Sequence, residues 1–395
     1  MEYKFSDRLA NLSGNAIREI FKLLNNPEII SFAGGMPAAD CLPERQINEI
    51  FNRLAARGDF PKILQYGETE GYYPLRKACL KMLERVGIEN AVPENVLIIS
   101  GGQQGIDLCF KAFINKGDTI LFENPTYLAS LHIAKTYEAN LVGVDADADG
   151  LNIEDLERKI IAHKPKILYL VPTFSNPTGK TINVEKRRKI AEITAKYGII
   201  MVEDDPYSEI RFSGERVPAV KSFDKTGNVV YISSFSKTVA PGLRTGYLYA
   251  DPAVFRKLTV GKQAVDVHTN QLSQAIIAEF IESGELFGHI ESLKPVYRQK
   301  KEAMLEAILR YMPEEMSHTD PEGGLFIWCE LPKYIDAVAE FANVCALNCA
   351  YVPGFSFYPD ESGRNTFRLN FSNATFEQID KGIRAMGGYF KSLIK

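Results

Sequence analysis

No apolar run in this 395-residue sequence approaches the roughly 20 residues that cross a bilayer, so a membrane-spanning protein is not expected. Charge of one sign is also missing. The 46 Lys and Arg stand against 50 Asp and Glu, scattered along the chain with a formal net charge of −4, and leave no basic stripe for nucleic-acid phosphates. Cysteine is sparse: the six residues form no Cys-x-x-Cys pair and suit reduced thiols in a cytoplasm. Cys345 and Cys349 lie four apart on an expected helix, but no second pair of ligands follows, and both are read as packing. The five histidines (His132, His163, His268, His289 and His318) share no ligand spacing, so no metal site is expected. The single tryptophan, Trp328, reads as core. The opening Met1-Glu2-Tyr3-Lys4-Phe5-Ser6-Asp7-Arg8 has neither the apolar core of a signal peptide nor the Arg-rich, acid-poor character of a transit peptide.

What is present is a pattern. From about residue 95, short β-branched runs alternate with helical stretches, which predicts βαβ units and an α/β fold with a mostly parallel, seven-stranded sheet covered by helices. The strands are expected at Val96 to Ser100, Thr119 to Phe122, Leu141 to Asp145, Ile167 to Val171, Ile199 to Glu203, Val229 to Ser233 and Tyr247 to Ala250. Length argues for a large domain with a smaller one. The expected division is an N-terminal arm and helix over residues 1–45, a large domain over 46–262, and a connecting helix with a small α+β domain over 263–395. Phe32-Ala33-Gly34-Gly35-Met36-Pro37 reads as a surface loop with a task.

The chemistry gathers at strand ends. In Ser234-Phe235-Ser236-Lys237 a lysine follows a buried strand among hydroxyls, and such an amine becomes a nucleophile once its pKa is lowered or it joins an aldehyde as a Schiff base. Ser100-Gly101-Gly102-Gln103-Gln104-Gly105 leaves a strand and opens a helix, which aims free N–H groups at one point and suits a single phosphate better than a nucleotide. Asn176 and Asp204 follow later strands, at the edge where open α/β sheets bind ligands. A carboxylate beside a pyridine nitrogen keeps it protonated, while an amide and a phenol can hold a ring oxygen; Asp204, Asn176 and Tyr207 suit these tasks, with Asp205 the alternative to Asp204. Arg368, in an expected strand, can clamp a carboxylate through two parallel hydrogen bonds.

Taken in order, Gly101 to Gly105, Asn124-Pro125-Thr126-Tyr127, Ser175-Asn176-Pro177-Thr178-Gly179, Asp204 to Tyr207, Ser234 to Lys237 with Arg244, and Phe367-Arg368-Leu369-Asn370 make the sequence similar to the class I and II aminotransferases of fold type I. The likeness covers nearly the whole chain. Ser31-Phe32-Ala33-Gly34-Gly35, Leu64-Gln65-Tyr66-Gly67 and Ser236-Lys237-Thr238-Val239-Ala240-Pro241-Gly242 resemble the branch of 2-aminoadipate (kynurenine) aminotransferases and the aminotransferase-like half of MocR-type regulators. The resemblance implies pyridoxal 5′-phosphate as cofactor, amino-acid and 2-oxo-acid substrates, and a homodimer with shared active sites. It makes Lys237 the Schiff-base lysine and proton carrier, with Tyr127 stacked on the cofactor ring. Gly102, Gln103, Ser234, Ser236 and Arg244 would hold the phosphate, and Tyr66 would reach it from the other subunit. The family often has serine where this chain has Gly102. Gly35 would lie over the substrate that Arg368 clamps.

Three rivals use the same residues. Ser234 to Lys237 is also a Ser-x-x-Lys, and Lys225-Thr226-Gly227 is present, but the order is wrong for a penicillin-binding protein and Ser-Asp-Asn is missing. A MocR-like effector module would need a DNA-reading domain, and the chain opens directly on the arm, which favours a free-standing enzyme. A lyase on the same cofactor would release ammonia instead of delivering it. Finally, Arg18 in Ser13-Gly14-Asn15-Ala16-Ile17-Arg18-Glu19-Ile20 resembles the arm that folds over the substrate, where it would meet the distal carboxylate of a diacid.

Overall fold

A computed structural model of the chain describes residues 3–10 and 28–395. β1 (Ile30–Ser31) runs parallel to the distant Cys349–Ala350. The chain beyond residue 95 then forms β2 (Val96–Ile99), β3 (Thr119–Asn124), β4 (Asn140–Asp147), β5 (Gly150–Leu151), β6 (Ile167–Leu170), β7 (Ile200–Asp204), β8 (Val229–Ser234) and β9 (Gly246–Tyr249). These make one sheet in the order β2-β9-β8-β7-β6-β3-β4-β5. β4, β3, β6, β7 and β8 are parallel along the row, and β9 runs against both β8 and β2. β2 therefore points the same way as the parallel set. All seven expected strands are present, but the sheet has eight. The extra one, β5, is a two-residue return from β4 through a turn closed by Gly150 at φ 95°, too short to leave a periodic signal.

Helices cover both faces, which is why the strands read as unbroken apolar runs. Val96, Leu97, Ile98 and Ile99 are all fully buried. Asn152 caps helix Ile153–His163 by accepting from Asp155 N, and Asn183 caps Val184–Tyr197 by accepting from Lys186 N. Helix Gly102–Phe113 packs closely on the sheet because Gly105 has no side chain; a Cβ there would stand 2.8 Å from Ile99 Cδ1 and 3.0 Å from Ile232 Cγ2.

The 27-residue helix Glu285–Tyr311 carries Pro295 in its interior and leads to the second sheet. That sheet contains β10 (Ser317–His318), β11 (Phe326–Glu330), β13 (Val352–Pro353) and β14 (Thr366–Asn370) in the order β10-β11-β14-β13, while β12 (Cys349–Ala350) pairs with β1. Helix Phe376–Ser392, opened by a capping box at Thr375 and Gln378, packs along Glu285–Tyr311. Trp328 is in the core of this unit, edge-on to Phe357.

Two local expectations are corrected. Cys345 ends helix Phe341–Cys345 while Cys349 has moved on into β12, so the two do not share a helix. No group of metal-ligating side chains is present among the described residues. Residues 32–37 are not a surface loop. Phe32 and Ala33 are buried, Phe32 N donates to Ala350 O, and Asn370 N donates to Phe32 O, so the segment is stitched to the second sheet. Its apolar side chains have that sheet to pack against, and only Met36 is largely exposed.

Candidate active site

The carboxyl ends of β2, β3, β6, β7 and β8 share one edge of the large sheet, and the chain leaving each contributes to a single cavity of about 410 Å³. From these turns come Gly102, Gln103, Tyr127, Asn176, Asp204 and Tyr207. Ser234, Ser236, Lys237 and Arg244 line it from the β8 side, and Gly35 and Arg368 from the other.

At the end of β2, Gly101 adopts φ 90°, and a Cβ on it would stand 2.6 Å from Arg244 Nη2. The guanidinium takes that space and donates to Ser100 O at 3.1 Å. Helix Gly102–Phe113 starts here, so its first N–H groups have no partner within the helix and its positive dipole end faces the cavity. Ser234 Oγ donates to Ser236 Oγ at 3.0 Å beside them. Amides, hydroxyls and a guanidinium converge as an anion cradle.

Asp204 ends β7 and Asp205 follows it, and the alternation of the extended chain turns their side chains to opposite faces. Asp204 lines the cavity, whereas Asp205 accepts from Tyr231 Oη at 2.9 Å and Ser208 N at 3.0 Å outside it. Burial pushes the Asp204 carboxyl up to about 7, partly offset by a hydrogen bond from Tyr169 Oη at 2.7 Å. Tyr169 escaped the sequence reading. The signal was there: a tyrosine inside the aliphatic run Ile167-Leu168-Tyr169-Leu170-Val171 needs a polar partner for its hydroxyl once buried.

Lys237 Nζ donates to Gly35 O at 2.6 Å. Burial, then the charges of Arg368 and Arg244, pull its pKa down to about 8. Arg368 is buried, donates to Asn176 Oδ1 and Ala33 O at 2.6 Å each, and lies 4.2 Å from the centre of the Phe326 ring. Its Nε has no partner, and no carboxylate pairs with it among the described residues. Burial lowers its pKa to about 10. A buried guanidinium without an anion is costly, so the site is built to receive a carboxylate. Burial also raises the Tyr127 phenol to about 12 and moves Tyr207 higher still.

Two expected residues stand apart. Tyr66 is 82% exposed, edge-on to His268 with ring centres 5.8 Å apart, and does not line this cavity. Arg18 lies outside the described residues. Lys225-Thr226-Gly227 is a turn organised by Asp224, which accepts from Thr226 N and Gly227 N, and Lys225 and Gly227 line a different pocket.

A cradle for an anion, a buried acid and a lysine with a lowered pKa, set on this sheet, are the arrangement of a fold type I pyridoxal-phosphate enzyme. The donor set fits the cofactor: an anion cradle, a buried carboxylate and a buried guanidinium whose Nε has no partner among the described residues line one cavity. The sequence profile of the aminotransferase class I and II family matches residues 28–386, and the chain belongs to that family. It is 40% identical to aromatic-amino-acid aminotransferase 1 of Thermococcus litoralis over all of this chain and 95% of the relative. Pyrococcus horikoshii kynurenine aminotransferase, solved with PMP, superposes with a TM-score of 0.95 at 37% identity over 99% of this chain and 98% of that one. LysN, the α-aminoadipate aminotransferase of Thermus thermophilus, solved with N-(5′-phosphopyridoxyl)-L-leucine, gives 0.90 at 35% over 98% and 97%. The protein is a pyridoxal-phosphate-dependent aminotransferase.

Proposed function

We propose that the enzyme moves the amino group of an aromatic, 2-aminoadipate-type or branched-chain L-amino acid to a 2-oxo acid such as 2-oxoglutarate. The observation that carries this reading is Arg368, buried and without an anionic partner among the described residues, on the same cavity as a lysine whose pKa is drawn down to about 8. When bound, pyridoxal phosphate supplies an aldehyde that exchanges amines and a ring that accepts the electron pair left at the α-carbon.

The chain's own residues do the rest. Asp204 would balance the ring nitrogen, and Asn176 and Tyr207 would hold the ring oxygen. Tyr127 would pack on the ring. Gly102, Gln103, Ser234, Ser236 and Arg244 would hold the phosphate. Lys237 Nζ, free as a base, would accept and return the substrate's α-proton. Arg368 fixes the α-carboxylate, while the Gly35 backbone closes over the substrate and excludes water.

Leu128, Val171 and Phe326 give the cavity an apolar wall, which supports an apolar or aromatic side chain on the donor. A diacid needs a further cation, the role proposed for Arg18. Tyr66, too exposed to serve its own site, is assigned to the partner's site in a homodimer. Six free cysteines suit a cytoplasmic enzyme, and no helix among the described residues is long and apolar enough to cross a membrane. An amino-donor panel against 2-oxoglutarate, pyruvate and glyoxylate tests the reading. Aromatic and aminoadipate donors should lead with 2-oxoglutarate; ammonia released without any acceptor would instead make the protein a lyase.

A further inference from the structure

Behind the anion cradle, away from the cavity, sits a lysine that the chemistry above does not use. Lys262 is fully buried, at the end of helix Pro252–Asp266. Its ammonium donates to Asp266 Oδ1 at 2.7 Å and Oδ2 at 2.9 Å, to Gln104 Oε1 at 3.1 Å and to Thr269 Oγ1 at 3.1 Å. A buried charge is tolerated only with this density of partners.

The partners belong to two segments. One is the cradle turn. Ser100 N donates to Gln104 Oε1 at 2.8 Å, Ser100 Oγ donates to Asp266 Oδ2 at 3.0 Å, and Gln104 Nε2 donates to the same carboxylate at 2.7 Å. Ser100 O is also the acceptor that holds Arg244. The other segment is a tight turn at Asp266-Val267-His268, where His268 N donates to Asp266 O at 2.7 Å. Val267, β-branched, sits at φ 63° and ψ −58°, a γ-turn conformation that such residues rarely adopt. Strained backbone persists only where its surroundings hold it. Here Asp266 and Thr269, on either side of Val267, are both tied to Lys262.

We propose that Lys262 is a positioning residue for the phosphate end of the site: through Asp266 and Gln104 it locks Ser100, and through Ser100 it sets Arg244 and the N–H groups of the cradle. This rests on the assignment of that end to the cofactor's phosphate. A lysine that merely pins its helix to the sheet would support every part of the site equally. The hydrogen-bond partners of Lys262 among the described residues lie in the cradle turn and around the γ-turn, so its loss should be felt by the phosphate more than by the ring.

The experiment compares pyridoxal phosphate with pyridoxal, which lacks the phosphate, by equilibrium dialysis against apo-protein of wild type, Lys262→Met and Ser100→Ala. In Lys262→Met the Kd for pyridoxal phosphate should rise by about tenfold or more, the worth of one misaligned charge-assisted hydrogen bond, while that for pyridoxal moves less than about twofold. Ser100→Ala removes the Oγ–Asp266 arm of the link but leaves the Ser100 N–Gln104 bond and the Lys262–Asp266 pair, and it should show the same selectivity at smaller size. Equal weakening of both ligands, or folded variants that bind pyridoxal phosphate as wild type does, would overturn the proposal. If Lys262→Met does not fold, Ser100→Ala decides alone, by whether the ratio of the two constants moves. A wild type that binds neither ligand is a separate outcome: it removes the cofactor assignment itself and this proposal with it.

Discussion

Lys237 offers the sharpest test of the electrostatics. Its pKa is drawn from 10.5 to about 8, first by burial and then by Arg368 and Arg244. At pH 7.5 about one such amine in four is neutral, against about one in a thousand for an unperturbed lysine, a gain of more than about a hundredfold in the nucleophilic form. The rate at which apo-protein captures pyridoxal phosphate, followed by absorbance, should therefore climb with pH and level off near 8. Lys237→Ala should bind the cofactor without this covalent phase. Arg368→Met removes one of the two cations and should move the plateau to higher pH. The stability sign follows from the same shift. Between the folded and unfolded values the native state holds fewer protons than the unfolded chain, so this group's contribution to folding stability rises with pH across that window. A capture rate still climbing steadily toward pH 10.5 would refute the reasoning, because the amine would then be no different from one in water.

Asp204→Asn should weaken pyridoxal phosphate binding and cost about a hundredfold or more in turnover, since it removes a preorganised charge at the ring nitrogen; if Asp205→Asn does this instead, the two carboxylates have been assigned the wrong way round. Arg368→Gln should raise KM for the amino donor, with a loss of about ten- to a hundredfold in kcat/KM and little change in cofactor affinity measured by dialysis. Mixing Tyr66→Phe with Lys237→Ala subunits should give hybrid dimers in which one site carries neither substitution and is active; recovery of no activity above the parents would end the cross-subunit assignment.

Much of the site was legible because its signals are local. An apolar run followed by Gly101-Gly102, by Asn176-Pro177, by Asp204 or by Ser234 to Lys237 marks a strand and what leaves it, and each was read from a few neighbouring residues. What was missed depends on three-dimensional packing. Phe32 and Ala33 looked like loop because the strand that covers them, Cys349–Ala350, lies more than 300 residues away. Tyr169 looked like sheet core because its partner Asp204 is 35 residues on in the neighbouring strand. Lys262 carries no local signal in the sequence, and only the fold puts Gln104 and Thr269 against it.

What the three share bears on how the cavity works. Its charges are unbalanced: Lys237, Arg244 and Arg368 face a single carboxylate, Asp204, whose own pKa burial has raised. Such a cavity is stable only if groups outside it carry the strain, and those are the groups that a local reading overlooks. Ala33 O accepts from Arg368, Tyr169 donates to Asp204, and the Lys262 cluster anchors Ser100, which in turn holds Arg244. The excess positive charge is the complement of a phosphate and a substrate carboxylate. The same excess lowers the Lys237 pKa, so the two anions that the cavity awaits also control the amine between them. Arrival of a substrate carboxylate at Arg368 would offset one of the cations that depress Lys237 and raise its proton affinity, which suits a group that must next hold a proton.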